Sequence, residues 1–179
     1  MSLTVVYAQL TRHVVAAIDE TAVRTAPQPV EQIVGSVLPL RRTVLRTGAA
    51  QAEQLDVPVP ADQLGTALAD PAAGVLTNPM AYGIGSGSAL EPLSPWSAGA
   101  EPVALKSTGV TVTLERTSKG LATPVLVVIA RPGATLVLSG QVFAERKVVT
   151  IGVELPPGPY AVLTLATGWH GRLDGLSLP

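Results

Sequence analysis

Apolar and polar residues alternate along much of the second half of the chain. Val110, Val112 and Leu114 alternate with Thr111, Thr113 and Glu115, a period of two that predicts a strand with one buried face. Val125 to Ala130 is an unbroken apolar run rich in β-branched residues, the pattern of a strand covered on both faces. Arg131-Pro132-Gly133 predicts a turn, after which Ala134 to Ser139 resumes extended structure. Val149, Ile151 and Val153 share one face of a further strand, and Leu155-Pro156-Pro157-Gly158 turns the chain. Tyr160 to Ala166 and Arg172 to Leu178 supply two more strands. Six or seven short strands at this spacing predict a sandwich or small barrel.

The first 82 residues carry a less regular pattern. Leu3, Tyr7, Leu10, Val14 and Ile18 have helical spacing, whereas the pairs Val5-Val6 and Val14-Val15 favour strands. A hairpin turning near Thr11-Arg12-His13 is preferred over a single amphipathic helix, and both readings stay open. Val30, Ile33, Val34, Val37 and Leu38 predict a helix that Pro29 can start and Pro39 can stop. Leu40 to Thr47 reads as a strand. Prolines at alternate positions confine Asp56 to Pro60 to an edge or an extended segment. Ala61 to Ala69 is expected to form a short helix, and no internal repeat is present.

Between Gly83 and Ala100 the chain reads GIGSGSALEPLSPWSAGA. Its Gly, Ser and Pro content predicts a linker, with Glu91-Pro92 and Ser94-Pro95 extended. Trp96 is expected to plug a groove on a neighbouring domain rather than to stack on a ligand. The expected organisation is therefore a β-rich lobe over residues 1–82, a linker over 83–100 and a β-sandwich module over 101–179.

The stretch LPPGPYAVLTLATGW, Leu155 to Trp169, resembles the closing hairpin of carboxypeptidase-regulatory-like, or transthyretin-like, β-sandwich modules. Those modules show a Leu-Pro-x-Gly-x-Tyr turn, an alternating strand, then Gly and an aromatic. Ala134 to Gly140 sits where such a module carries an earlier strand of the same sheet. The likeness covers about 45 residues and rests on a degenerate pattern. Gln141 to Lys147 lacks the Asp-Gly turn common in that family. The resemblance implies a sandwich used as scaffold, spacer or binding platform, without chemistry of its own.

Composition narrows the function classes. Of 179 residues, 47% are hydrophobic, 14% charged and 3% aromatic, against about 25% charged in an ordinary soluble domain. The core must come from Val, Leu, Ile and Ala. The formal net charge of −1 gives no electrostatic reason to seek nucleic acid or an anionic membrane. Absent cysteine rules out disulfides and thiol chemistry. Met1 to Gln9 has no Lys or Arg ahead of its apolar residues, so no signal peptide is expected. No apolar stretch approaches the roughly 20 residues needed to span a bilayer. Synthesis in the cytoplasm is expected, with release later as part of a particle compatible with it. So apolar and weakly charged a chain should cover part of its surface with a partner, which predicts a homo- or hetero-oligomer.

The candidate chemistry is sparse. His170 and Asp174 are spaced i, i+4, but Gly171 and Gly175 argue against a helix there. On a strand the two lie about 13 Å apart, so His170 reads as a lone exposed side chain. His13 has no ligand or acid–base partner nearby in sequence and reads similarly. Gly83 to Ser88 fails the Gly-x-Ser-x-Gly elbow, the dinucleotide fingerprint and the phosphate loop. Asp19-Glu20, the one adjacent acidic pair, would point to opposite strand faces. No catalytic residue, cofactor or metal is expected. Arg41, Arg42 and Arg46 form the one basic cluster, with Arg42 and Arg46 on one strand face able to grip carboxylate or phosphate. Together with Trp96 and Trp169 they are the candidate interaction residues.

The expected fold is mainly β: a C-terminal antiparallel sandwich of immunoglobulin-like or transthyretin-like type, plus a smaller β-rich N-terminal lobe with one or two short helices. The expected function is a non-enzymatic structural or assembly protein, such as a component of a phage-tail-like or capsid-like particle. A module recognising a glycan or peptide through its loops is the alternative, and an enzyme without a local motif ranks third.

Overall fold

A computed structural model describes residues 2–20, 25–44, 53–117 and 120–179. The chain begins with β1 (Ser2–Ala8) and β2 (Val14–Glu20), followed by the single-turn helix α1 (Val30–Val34). Next come β3 (Val37–Val44), β4 (Glu53–Pro60), β5 (Leu64–Ala69), β6 (Tyr82–Ile84) and β7 (Leu90–Pro92). The second half contributes β8 (Val103–Lys106), β9 (Gly109–Thr113), β10 (Thr123–Arg131) and β11 (Ala134–Val142). It closes with β12 (Val148–Gly152), β13 (Gly158–Ala166) and β14 (Arg172–Leu178). The protein is mainly β, with several antiparallel sheets.

The chain groups into two units, each assembled from separated segments. The first holds Met1–Leu38, Val59–Pro95 and Leu165–Gly171. The second holds Pro39–Pro58, Trp96–Thr164 and Arg172–Pro179.

In the first unit β1 lies between β2 and β5. A central strand needs apolar residues on both faces, and β1 supplies Leu3 and Val5 on one and Val6 and Ala8 on the other, all buried. Thr4 is buried too, and its hydroxyl donates to Glu20 Oε1 at 2.6 Å, so burial leaves it no unmet hydrogen bond. Val14, Ala67, Val75 and Ile84 complete the core around Leu3 and Val5. The β1–β2 connection is tied by Arg12, whose φ is +62°. Its guanidinium donates to the carbonyls of Ile84 and Gly85 and lies 4.9 Å from the Tyr7 ring centroid.

The second unit contains a four-stranded sheet, β11-β10-β13-β14, and a three-stranded one, β12-β9-β8. Every residue from Val125 to Ala130 is buried, as the unbroken apolar run requires of a strand covered on both faces. Val110, Val112 and Leu114 are buried while Thr113 is exposed, so the period of two does set the buried face of β9. Pro132 and Gly133 make the β10–β11 turn, where Gly133 has φ +79°, a conformation glycine adopts without steric cost. Residues 39–58 add most of the two-stranded sheet of β3 and β4.

Several expectations hold. The hairpin near Thr11-Arg12-His13 is β1 and β2, and the final strand is β14 over the anticipated residues. Others do not hold. The predicted helix stops at Val34, because Gly35 turns to φ +71° and its N–H bonds back to Glu31; Val37 and Leu38 open β3 instead. Ala61 to Ala69 is one 3-10 turn, Ala61–Gln63, followed by β5. Thr66 suits a strand better than a helix, Gly65 leaves room for the Tyr7 ring, and six residues of β5 pair with β1. The stretch 83–100 is not wholly irregular, since β6 and β7 pair within it. No helix among the described residues is long and apolar enough to cross a membrane.

Candidate functional site

Arg41 and Arg42 engage different partners. Arg41 Nε donates to Asp56 Oδ2 at 3.2 Å across the β3–β4 pair, with both side chains largely in water. Such a pair stabilises by less than about 1 kcal/mol. Arg42 Nη1 instead donates to the carbonyl of Leu173 at 3.0 Å, which ties β3 to β14. Arg46 lies outside the described residues.

The two tryptophans occupy different settings. Trp96 is half-buried, and the adjacent Ser97 is clamped by Glu115. The backbone N–H of Ser97 donates to Glu115 Oε1 at 2.6 Å and its hydroxyl to Oε2 at 2.7 Å. These bonds hold the Glu115 carboxyl below its ordinary range. Trp169 is buried, and its carbonyl accepts a 2.7 Å bond from His13 Nε2.

His13 is not exposed, contrary to expectation. Its surface is fully covered and its Nδ1 meets no hydrogen-bond partner among the described residues. Because a carbonyl can only accept, Nε2 carries a proton. Burial lowers its pKa to about 4, against the smaller opposing pull of the Trp169 carbonyl. His170 is half-buried rather than exposed. Asp174, weighed above as its partner, is held by Arg172 Nε at 2.7 and 2.8 Å, while Arg172 Nη1 donates to Ala100 O. Among the described residues no three His, Asp or Glu side chains gather to hold a metal ion.

Two features of the second unit can receive a partner. One is a groove of about 480 Å3, walled by Pro39, Leu55 and Pro58 on one side and by Pro132, Pro159 and Tyr160 on the other. Glu53, Asp56 and Arg131 also line it. Its prolines, Leu55 and Tyr160 offer apolar contact.

The other feature is the outer strand β11 with the residues that follow it. Among the described residues β11 is paired with β10 alone, in an unbroken nine-residue register, and β12 packs against it near Gly140. Most of its side chains are exposed or half-exposed. Leu136 is 40% exposed, Phe143 63% and Val148, at the start of β12, 50%. None of residues 134–142 is charged or proline. Natural edge strands usually carry one of those guards, or a bulge, against pairing with other chains. Ala134 to Ser139 was legible as extended chain, and the absence of Lys, Glu and Pro from it was the available signal for an outer edge.

No protein-family model matches this chain, and no curated protein or solved structure matches it either.

Proposed function

We propose that the protein is a non-enzymatic assembly module that associates with protein partners through the outer edge of its second unit. The observation that carries this reading is the unguarded strand β11, with Leu136, Phe143 and Val148 open to water beside it. An uncharged edge strand gains hydrogen bonds and apolar burial by adding another strand. The low charge of the whole chain, 14%, agrees with a surface that is partly covered in use.

Within this reading the four-stranded and three-stranded sheets are the two layers of a β-sandwich. The alternation of buried and exposed positions in β9 supports this, as does the resemblance of Leu155 to Trp169 to carboxypeptidase-regulatory-like modules. A repeating particle of the phage-tail-like or capsid-like kind is the type of assembly such a module would serve.

The groove beside Tyr160 favours a second reading, a module that binds an extended apolar peptide. A glycan is less well served, since Tyr160 and Trp169 are buried and Phe143 is the most exposed aromatic. Size-exclusion chromatography with light scattering separates the two. Assembly predicts a multimer whose mass falls on Phe143→Ser, a change at an exposed position that should alter the unfolding free energy by no more than about 0.5 kcal/mol. A protein that stays monomeric at high concentration would sink the assembly reading and leave the groove in its place.

A further inference from the structure

We infer that residues 167–171 form an acid-sensitive latch, closed onto the first unit by His13 and released, ahead of the rest of that unit, when His13 takes up a proton.

The segment is bound, but not by a ladder. His13 Nε2 donates to the Trp169 carbonyl at 2.7 Å, and the Thr167 hydroxyl donates to the Thr11 carbonyl at 3.3 Å. The Ser94 N–H donates to Gly168 O at 2.9 Å, the His170 N–H to Ser94 O at 2.8 Å and the Gly171 N–H to Met80 O at 2.8 Å. Ser94 and Trp169 form an isolated bridge. By contrast, β1 is zipped to β2 and to β5 over six residue pairs each. Freeing β1 breaks two ladders, whereas freeing the segment breaks separate bonds only. Pieces of a fold held in this way open at a smaller free energy than its central strands.

Of these bonds, only the one from His13 comes from a side chain that titrates. The ring has no exposed surface, and among the described residues no carboxylate bonds to it. A charge on it would lose its hydration and gain no anion in exchange. Its surroundings add to this. Arg12, the preceding residue, already carries a charge, which is directed over Tyr7 to the carbonyls of Ile84 and Gly85. His170, within the segment, repels a charge on His13. Gly83 of β6, bridged to His13, carries none. Glu91, which pairs with Gly83 from β7, has its carboxyl against Gly85 instead.

Once the segment lifts away, the ring meets water and accepts a proton at its ordinary value. Burial, opposed only in part by the Trp169 and Thr11 carbonyls, holds its pKa at about 4 in the closed form, against about 6.5 in water. The open form therefore gains on the closed one as the pH falls between these values. For one proton the open fraction rises roughly twentyfold from pH 7 to pH 5. Release bares Trp169, which is buried while the latch is shut, so acid uncovers an aromatic surface that neutral pH hides.

Amide hydrogen exchange between pH 7 and pH 5, with protection factors corrected for intrinsic rates, tests the latch. The amides of His170 and Gly171 should be at least tenfold less protected than those of Val5 and Val6 in β1 at pH 7. Their protection should then fall roughly twentyfold by pH 5. In His13→Gln, which keeps an N–H for the Trp169 carbonyl and whose fold is checked by circular dichroism, that fall should shrink below about threefold. Equal protection of the segment and β1 overturns release ahead of the unit. Segment protection that does not change with pH in the native chain overturns the role of His13, whether or not the variant folds. A fall of native size in folded His13→Gln overturns it as well.

Discussion

A histidine with no exposed surface stays in place only while it is neutral, and His13 is such a residue. Its pKa in the folded protein lies near 4, below the ordinary value of about 6.5, because the imidazolium would lose its hydration. The unfolded chain therefore binds the extra proton between these values. The stabilisation is complete above pH 6.5, declines as the pH falls, and is lost once the pH has passed through about 4. At 1.36 kcal/mol per pKa unit this amounts to about 3 kcal/mol. Urea midpoints measured from pH 7 to pH 4 should fall accordingly. His13→Gln, which keeps an N–H for the Trp169 carbonyl but does not titrate, should flatten that fall. An equal slope in the variant would place the acid sensitivity elsewhere. Nothing near His13 in sequence announced this role, because its partner is 156 residues away. Only the closing of the fold brings them together.

At the scale of elements, what was legible followed from local patterns. Val125 to Ala130 announced a strand buried on both faces, and Arg131-Pro132-Gly133 announced its turn. The final strand was bounded correctly by Gly171 and Pro179. Ala61 to Ala69 misled because its Ala and Leu content favours a helix, whereas the pairing partner that makes it a strand, β1, lies some 60 residues earlier. The β6–β7 hairpin was missed for a similar reason. Three-residue strands carry too little periodicity to register, and glycine near a turn reads the same in a linker. The candidate interaction residues were visible only as types: Arg41 and Arg42 form a cluster in sequence, yet one pairs across its sheet and the other reaches β14. One element-level prediction concerns Gly109, which faces Gly152 where β9 meets β12. A Cβ there would lie 2.7 Å from the carbonyl oxygen of Ile151, and backbone yields less readily than a side-chain tip. Gly109→Ala should destabilise the protein by about 1–3 kcal/mol, read as a lower thermal midpoint. It should also weaken amide protection first in β9 and β12. An unchanged midpoint would mean that the strand ends shift apart at no cost.

Across the whole molecule, the two units are not consecutive halves. The chain passes between them after Leu38, Pro58, Pro95, Thr164 and Gly171. Residues 165–171, which belong to the first unit, supply the carbonyl that His13 needs and the Trp169 and Ser94 bridge. A cut near residue 100 therefore removes a segment from each unit. Fragments 1–100 and 101–179, expressed separately, should each lack cooperative unfolding, while mixing them should restore at least part of the native circular dichroism. Independent, cooperative folding of either fragment would show that the returning segments are dispensable.

This interleaving also has a bearing on synthesis. A chain emerges from the ribosome in order, at about 5–20 residues per second. The first unit cannot be completed until its last segment, Leu165–Gly171, has been made. The apolar strand β1, with Val5 and Val6 fully buried in the folded protein, must wait for the synthesis of Leu165–Gly171 before its unit closes. With so many contacts between distant positions, folding itself should be slow, in the millisecond-to-second range of all-β domains. A nascent chain halted before residue 165 is thus the species most in need of a chaperone, and the one from which aggregation should start.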